Sequence, residues 1–296
     1  MKSTPVPPGS VVVGYDGSTG SDLALEWAVA EARRTARPLH LVRASGRHHP
    51  RGFEPSADLD AISTLAVEQV TAKAPELTVT ARTHEGSAAA VLVQASATAG
   101  TVVVGARGHG AFASVLVGSV SEQVATHAQC PVMVVRPESP ERGSEAGRIV
   151  AGLDASERSV AALSYAYAQA SSREVGLTVV HSWWWEEPGG FLAGATWEGD
   201  WTAVSDQETA MVGELLAGWH GQYPDVELRR HLVRGHPVGT LVEESRGAEM
   251  LVVGSRGRGG FKGLLLGSVS RRLLHGASCP VAVVRSAAAA AEGEPL

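Results

Sequence analysis

Val102-Val103-Val104-Gly105-Ala106-Arg107-Gly108 and Leu251-Val252-Val253-Gly254-Ser255-Arg256-Gly257 are two copies of one pattern. Each is followed, nine residues on, by a second glycine signal, Gly118-Ser119 in the first copy and Gly267-Ser268 in the second. An uninterrupted apolar run that ends on glycine reads as a strand buried on both faces and then a turn, as in a parallel sheet. Working outward, Val-rich runs alternate with Ala-rich segments of helical length. The sequence predicts strands over residues 11–15, 39–43, 77–83, 102–105 and 132–136, and helices over 21–35, 58–74, 87–98 and 119–128. Strands and helices in alternation make a doubly wound α/β unit, five parallel strands covered on both faces by four helices.

The unit is present twice. Val13-Gly14-Tyr15-Asp16 matches Ala151-Gly152-Leu153-Asp154 at an offset of 138 residues, whereas Gly105 and Gly254, Gly118 and Gly267, and Cys130 and Cys279 match at 149. The second copy therefore carries 11 extra residues between its second and third strands. Solenoid repeats run only ~20–50 residues, so the pattern reads as a duplicated domain. The expected organisation is two tandem five-stranded domains over 9–137 and 148–286, a Pro/Glu/Ser/Gly-rich linker over 138–147, and a disordered tail over 287–296.

Composition narrows the function classes. A formal net charge of −6 argues against nucleic acid as partner, because affinity for a phosphate backbone needs concentrated Lys and Arg. No run approaches the roughly 20 apolar residues that span a bilayer, and residues 1–13 have no leader pattern, which makes the cytoplasm the expected location and excludes the membrane as a partner. The 2 cysteines, each before a proline, read as small buried hydrophobes rather than as a disulfide or metal framework.

In open parallel sheets ligands bind beyond the carboxyl ends of the strands, where the winding reverses. Gly14 and Asp16 close the first strand and Gly105 the fourth; Gly152, Asp154 and Gly254 do the same in the second copy. Gly105, Gly108, Gly110 and Gly118, matched by Gly254, Gly257, Gly259 and Gly267, let the main chain approach a phosphate. The helix that opens at Ser119 or Ser268 offers unpaired N–H groups and a hydroxyl. The plainer account is a glycine-rich surface loop before a serine N-cap. Asp16 and Asp154 could accept from an adenine amino group or a ribose hydroxyl, or serve as turn residues. Arg107, Arg256 and Arg258 are phosphate neutralisers or solvated loop cations, and His109 stands where the second copy has Arg258. Trp183, Trp184, Trp185, Trp197 and Trp201 crowd the insertion, where they line an adenine pocket, cover an interface or, more plainly, pack over the exposed end of the second strand.

An Asp after the first strand, Gly-x2-Gly-x9-Gly-Ser after the fourth and Cys-Pro-Val before the fifth resemble the universal stress protein family in its tandem-domain, ATP-binding form. The resemblance implies an adenine nucleotide alpha hydrolase-like fold and ATP in both halves. It places Asp16 and Val42 at the adenosine end and Gly105, Gly108, Gly118, Ser119 and Val120 at the phosphates and ribose. The matching positions are Asp154, Val180, Gly254, Gly257, Gly267, Ser268 and Val269. It further implies that residues 132–135 meet residues 281–284 as a pseudo-symmetric dimer within one chain, and that two chains can associate as a homodimer.

The expected function is a nucleotide-dependent binding module that changes its contacts with an unknown protein partner in stress or growth arrest. A slow ATPase or nucleotidyl-transfer enzyme is the alternative, weakened because the chain lacks Gly-x4-Gly-Lys-Ser/Thr and with it the lysine that holds the terminal phosphates. A flavin carrier of related fold is a third reading that yellow colour would reveal. Mg²⁺ or Mn²⁺ is expected only by way of the phosphates.

Overall fold

The computed structural model describes residues 6–46, 57–108, 117–137, 143–156, 158–183, 201–258 and 265–286. The first half runs β1 (Val11–Gly14), α1 (Thr19–Thr35), β2 (Leu39–Ala44), α2 (Ala57–Lys73), β3 (Val79–His84), α3 (Ala88–Ala95), β4 (Thr101–Gly105), α4 (Ser119–His127) and β5 (Val132–Val135). The second runs β6 (Ile149–Leu153), α5 (Ser159–Arg173), β7 (Leu177–Trp183), α6 (Trp201–Leu216), α7 (Trp219–Gln222), β8 (Leu228–Arg234), α8 (Pro237–Glu244), β9 (Met250–Gly254), α9 (Ser268–Gly276) and β10 (Val281–Val284).

Most boundaries agree with the sequence reading to within a residue or two, and two of the differences have a visible local cause. Helix α3 stops at Ala95 rather than at residue 98, because the Ser96 hydroxyl donates to the Val93 carbonyl at 2.6 Å and accepts from the Gln129 amide at 2.9 Å, replacing a further helical turn. Strand β3 begins at Val79, after a turn in which the Leu77 amide donates to the Ala74 carbonyl at 3.1 Å. The second half also contains the short α7, whose Trp219 stacks on Tyr167 with ring centroids 5.2 Å apart.

The five strands of each half are not a separate sheet. All ten form one sheet in the order β3-β2-β1-β4-β5-β10-β9-β6-β7-β8, parallel within each half, with a single antiparallel junction where Val132, Met133 and Val134 pair with Val283, Ala282 and Val281. Every residue of β5 and β10 is buried, and as free edges these apolar strands would invite aggregation; pairing them removes both edges. The true edges carry charge instead: Arg229, Arg230, His231 and Arg234 are exposed on β8.

One hydrophobic cluster gathers α1, α2, α5 and α6 on one face of the sheet, and a second gathers α3, α4, α8 and α9 on the other; both contain residues of the two halves. Small residues let α1 lie close to the strands: Ala24, Ala28 and Ala32 repeat every fourth position and are fully buried. The Ser18 hydroxyl caps the helix start by accepting from the Ser21 amide at 3.2 Å. Across the junction, Arg136 donates to the carbonyls of Leu274 and Ala277 at the end of α9, and Arg285 donates to the Thr126 carbonyl near the end of α4. Each arginine thus places positive charge at the negative end of the other half's last helix. Both cysteines are buried, and burial pushes each thiol up to about 12, so neither serves as a nucleophile.

Candidate functional site

The winding reverses between β1 and β4 in the first half and between β6 and β9 in the second, since each of these pairs is adjacent in the sheet although far apart in sequence. A cavity lies beyond the strand ends at each reversal. The first, of about 390 Å³, is lined by Gly14, Asp16, Val42, Gly105, Arg107, Gly108, Gly118, Ser119 and Val120 together with Tyr15, Ser21, Ala44, Ala88, Leu92, Val104 and Ser121. The second, of about 810 Å³, brings together Gly152, Asp154, Val180, Gly254, Arg256, Gly257, Gly267, Ser268 and Val269. Gly110, Gly259 and His109 lie outside the described residues, as do Trp184, Trp185 and Trp197. Trp183 ends β7 and lines the second cavity, and Trp201 opens α6.

Each cavity has an apolar wall and a polar mouth. Val42, Leu92 and Val104 form the wall in the first half; Val180, Leu241 and Val253 occupy the matching places in the second. Of these only Val42 and Val180 were among the residues expected at the site. The polar mouth is the start of α4 or α9. Gly118 and Gly267 are the N-cap residues, with extended backbone and no side-chain hydrogen bond to the helix. The bland account of Ser119 and Ser268 as capping serines therefore does not apply: both lie inside the first turn, and the first amides of the helix have no side-chain cap. The loop is held from behind. The Gly118 amide donates to the Ala106 carbonyl at 2.7 Å, the Gly267 amide to the Ser255 carbonyl at 2.7 Å, and the hydroxyls of Ser121 and Ser270 donate to the Gly105 and Gly254 carbonyls at 2.6 Å. These two serines recur two positions after Ser119 and Ser268, a periodic signal by which they could have been found.

The glycines divide into two kinds. A Cβ on Gly105 would lie 2.4 Å from the Gly20 carbonyl oxygen, so α1 and the loop approach too closely for a side chain. On Gly108 it would lie 2.7 Å from Asp16 Oδ2, and on Gly257 2.6 Å from Asp154 Oδ2. Packing against the fold accounts for these glycines. Gly118 and Gly267 are different: their φ angles of −74° and −71° suit any residue, and a Cβ would meet protein atoms no closer than 3.6 Å and 3.5 Å respectively. Nothing in the fold requires a glycine at these positions. Both glycines line their cavities.

The aspartates are anchored by hydrogen bonds. Asp16 Oδ1 accepts from the Ser18 amide at 3.0 Å and its hydroxyl at 2.6 Å. Asp154 Oδ1 accepts from the Ser156 amide at 3.1 Å, the Ser156 hydroxyl at 2.7 Å and the Ser159 hydroxyl, while Oδ2 accepts from the Arg258 amide. Burial alone would raise the Asp154 pKa, but the hydrogen bonds from Ser159, Ser156 and Arg258 outweigh it and hold the carboxyl below the usual carboxylate range. Tyr15 is pushed up to about 12, first by burial and then by donating to Asp22 at 2.9 Å, so it stays a neutral phenol at the rim. Among the described residues no group of three or more His, Cys, Asp or Glu stands close enough to hold a metal ion. No described helix is long and apolar enough to cross a membrane.

An apolar slot that opens onto uncapped helical amides and an arginine can receive a flat apolar group joined to an anion. Comparison with known proteins agrees with a shared architecture. A universal stress protein of Mycolicibacterium smegmatis is 37% identical over 291 residues, covering 93% of this chain and 96% of the relative. A universal stress protein of Mycobacterium tuberculosis is 34% identical over 292 residues, with the same coverage of 93% and 96%. In structure, a Pseudomonas aeruginosa protein described as functionally unknown superposes with a TM-score of 0.68 at 18% identity over 96% of this chain and 95% of its own. An Archaeoglobus fulgidus universal stress protein reaches 0.63 at 21% identity over 95% of this chain and 97% of its own. The universal stress protein family profile matches twice, over residues 9–136 and 145–285, and the chain belongs to that family.

Proposed function

We propose that each half binds an adenine nucleotide, with ATP as the principal ligand, and that the chain acts as a nucleotide-responsive binding module in stress or growth arrest. The observation that carries the reading is the pair Gly118 and Gly267. Both are glycines that packing does not require, at helix starts with no side-chain cap, and both line a cavity. A phosphate against the first amides of α4 or α9 explains the missing side chain, since a Cβ would intrude where the phosphate oxygens sit. Val42, Leu92 and Val104 supply an apolar surface for the base, and Asp16 an acceptor for a base amino group or a ribose hydroxyl; Val180, Leu241, Val253 and Asp154 repeat this in the second half. A divalent ion would come with the phosphates rather than on a protein carboxylate cluster.

In the first cavity the chemistry of the mouth favours a binding module over an enzyme; the second is lined also by His181, Glu208 and His236, of which the first two are paired with each other at 2.8 Å. The described lining of the first cavity contains no histidine, lysine or glutamate, and its aspartate is tied to Ser18. Binding by N–H donors and an arginine needs none of these; hydrolysis needs a group to orient and deprotonate water. The test is to denature freshly purified protein and identify the released nucleotide by chromatography and mass spectrometry, alongside a Gly118→Ala/Gly267→Ala variant. Nucleotide released from the wild type and missing from the variant supports the reading. An empty protein that also fails to bind added ATP refutes it.

A further inference from the structure

The walls of the two cavities carry different charge. Among the described lining residues the first has one arginine, Arg107, and one carboxylate, Asp16. The second has Arg256, Arg258 and Arg272 against Asp154 and Glu208, in a volume of about 810 Å³ rather than about 390 Å³. Arg272 stands where the first half has Gln123. One cation of the second cavity, Arg258, is also placed to change partners. Glu208 is held by His181, whose Nε2 lies 2.8 Å from Glu208 Oε2 and whose Nδ1 lies 2.9 Å from the Leu153 carbonyl oxygen. The Arg258 guanidinium reaches the same Glu208 oxygen only at 3.6 Å, and its side chain is 42% exposed. With Glu208 held mainly by His181, Arg258 meets that oxygen only at a distance and otherwise donates from Nη2 to Met211 Sδ at 3.2 Å; its planar fork suits a phosphate better than either partner.

We propose that the two sites select nucleotides by phosphate number: the second cavity takes the polyphosphate form, with Arg258 exchanging Glu208 for phosphate, and the first takes a nucleotide with fewer phosphates. The inference rests on the reading of each half as an adenine-nucleotide site and narrows it: ATP becomes the ligand of the second half, and a nucleotide with fewer phosphates that of the first. Each added phosphate brings negative charge into a cleft whose low-dielectric walls strengthen the effect of every lining cation. The second cavity has three arginines among its described lining residues to meet that charge, and the first has one.

Titration of the full-length chain with ATP and with AMP tests this, using Gly118→Leu to fill the first cavity and Gly267→Leu to fill the second. With only the second cavity open, ATP is expected to bind at least tenfold more tightly than AMP; with only the first open, ATP is expected to bind no more tightly than AMP. Adding Arg258→Ala and Arg272→Gln to Gly118→Leu should abolish the ATP preference. Equal ATP-to-AMP ratios at the two sites, a larger ratio at the first, or a ratio indifferent to loss of the two arginines overturns the proposal while leaving nucleotide binding intact. If neither nucleotide binds the unaltered chain, the reading of the site itself fails and this inference falls with it. Should either leucine variant fail to fold by circular dichroism, Arg258→Ala/Arg272→Gln in the otherwise unaltered chain gives the same decision: loss of a tight ATP phase supports the proposal, and an unchanged isotherm overturns it.

Discussion

Glu122 on α4 and Arg271 on α9 occupy the same position in the two repeats, 149 residues apart, and their side chains meet at 2.6 Å across the pseudo-two-fold axis. In a symmetric pair of identical halves this position would face itself, carboxylate to carboxylate or guanidinium to guanidinium. The duplicated halves have diverged here into complementary partners. Glu122→Arg should place two cations together and destabilise the chain, but by only about 0.5–1 kcal/mol, because both side chains reach solvent. The exchanged variant Glu122→Arg/Arg271→Glu should recover most of the loss. Denaturant unfolding of the two single variants and the exchange tests this, and an exchange no more stable than Glu122→Arg rules out specific pairing.

The opposite face of the sheet repeats the arrangement in a buried setting. Glu31 on α1 and Gln169 on α5 are also equivalent, at the 138-residue offset, and the Gln169 amide donates to Glu31 Oε1 at 2.8 Å while both residues are less than 7% exposed. Glu31 Oε2 is held by Arg34 at 2.7 Å and by Arg173 at 3.4 Å. Gln169→Glu replaces the amide donor with a second buried carboxylate, partly relieved by Arg173, and should cost on the order of 2 kcal/mol. Because Arg34 follows Glu31 and Arg173 follows Gln169, either residue has a cation at hand, so Glu31→Gln/Gln169→Glu should regain stability. Thermal melts of the three proteins check this; an exchanged variant as unstable as Gln169→Glu would show that the pairing does not depend on complementarity.

The alternation of strands and helices was legible in the sequence because apolar runs such as Val102 to Val104 carry their own punctuation in the following glycine. The single ten-stranded sheet was not legible from composition: β5 and β10 are apolar on both faces whether they end a sheet or lie in its middle, and only the family resemblance implied that they meet. At the site the repeat marked the glycines, yet their differing causes need three dimensions, since Gly105 answers to Gly20 and Gly108 to Asp16, whereas Gly118 answers to nothing in the fold. Leu92 and Val104, which wall the first cavity, look in the sequence like any core residue of a helix and a strand.

His40 on β2 sets a limit on acid stability. It is buried, its Nδ1 meets Thr80 Oγ1 at 2.7 Å, and burial, followed by repulsion from His84 and Arg82, lowers its pKa to about 4 from an ordinary 6.5. A histidine whose folded pKa is depressed is protonated more readily in the unfolded chain, so its penalty is absent above pH 6.5 and grows as the pH falls toward 4. Full protonation of the unfolded state across that window costs about 3 kcal/mol. His40→Thr, which copies Thr178 of the second half, should flatten the fall in unfolding free energy between pH 6.5 and 4 while costing about 1 kcal/mol at neutral pH through the lost Thr80 contact. Urea unfolding at stepped pH tests this, and equal slopes for variant and wild type would exclude His40 as the source.

Alanine at two glycines separates what the fold needs from what the ligand needs. In Gly105→Ala the new Cβ meets the Gly20 carbonyl oxygen at 2.4 Å, a backbone atom that cannot swing aside, so the helix start and the loop must part and stability should drop by about 2–3 kcal/mol. In Gly118→Ala the new Cβ rests 3.6 Å from the Ala106 carbonyl oxygen with φ at −74°, and stability should change by less than about 1 kcal/mol, the residual cost being that of alanine at an N-cap. Nucleotide affinity should follow the opposite order relative to stability: Gly118→Ala folds normally yet loses binding at the first site, because its methyl group occupies the phosphate position. Paired measurements of unfolding free energy and of AMP and ATP titration decide the matter. A Gly118→Ala protein that keeps both its stability and its affinity would show that the glycine serves neither fold nor phosphate, and the helix start would lose its claim to the ligand.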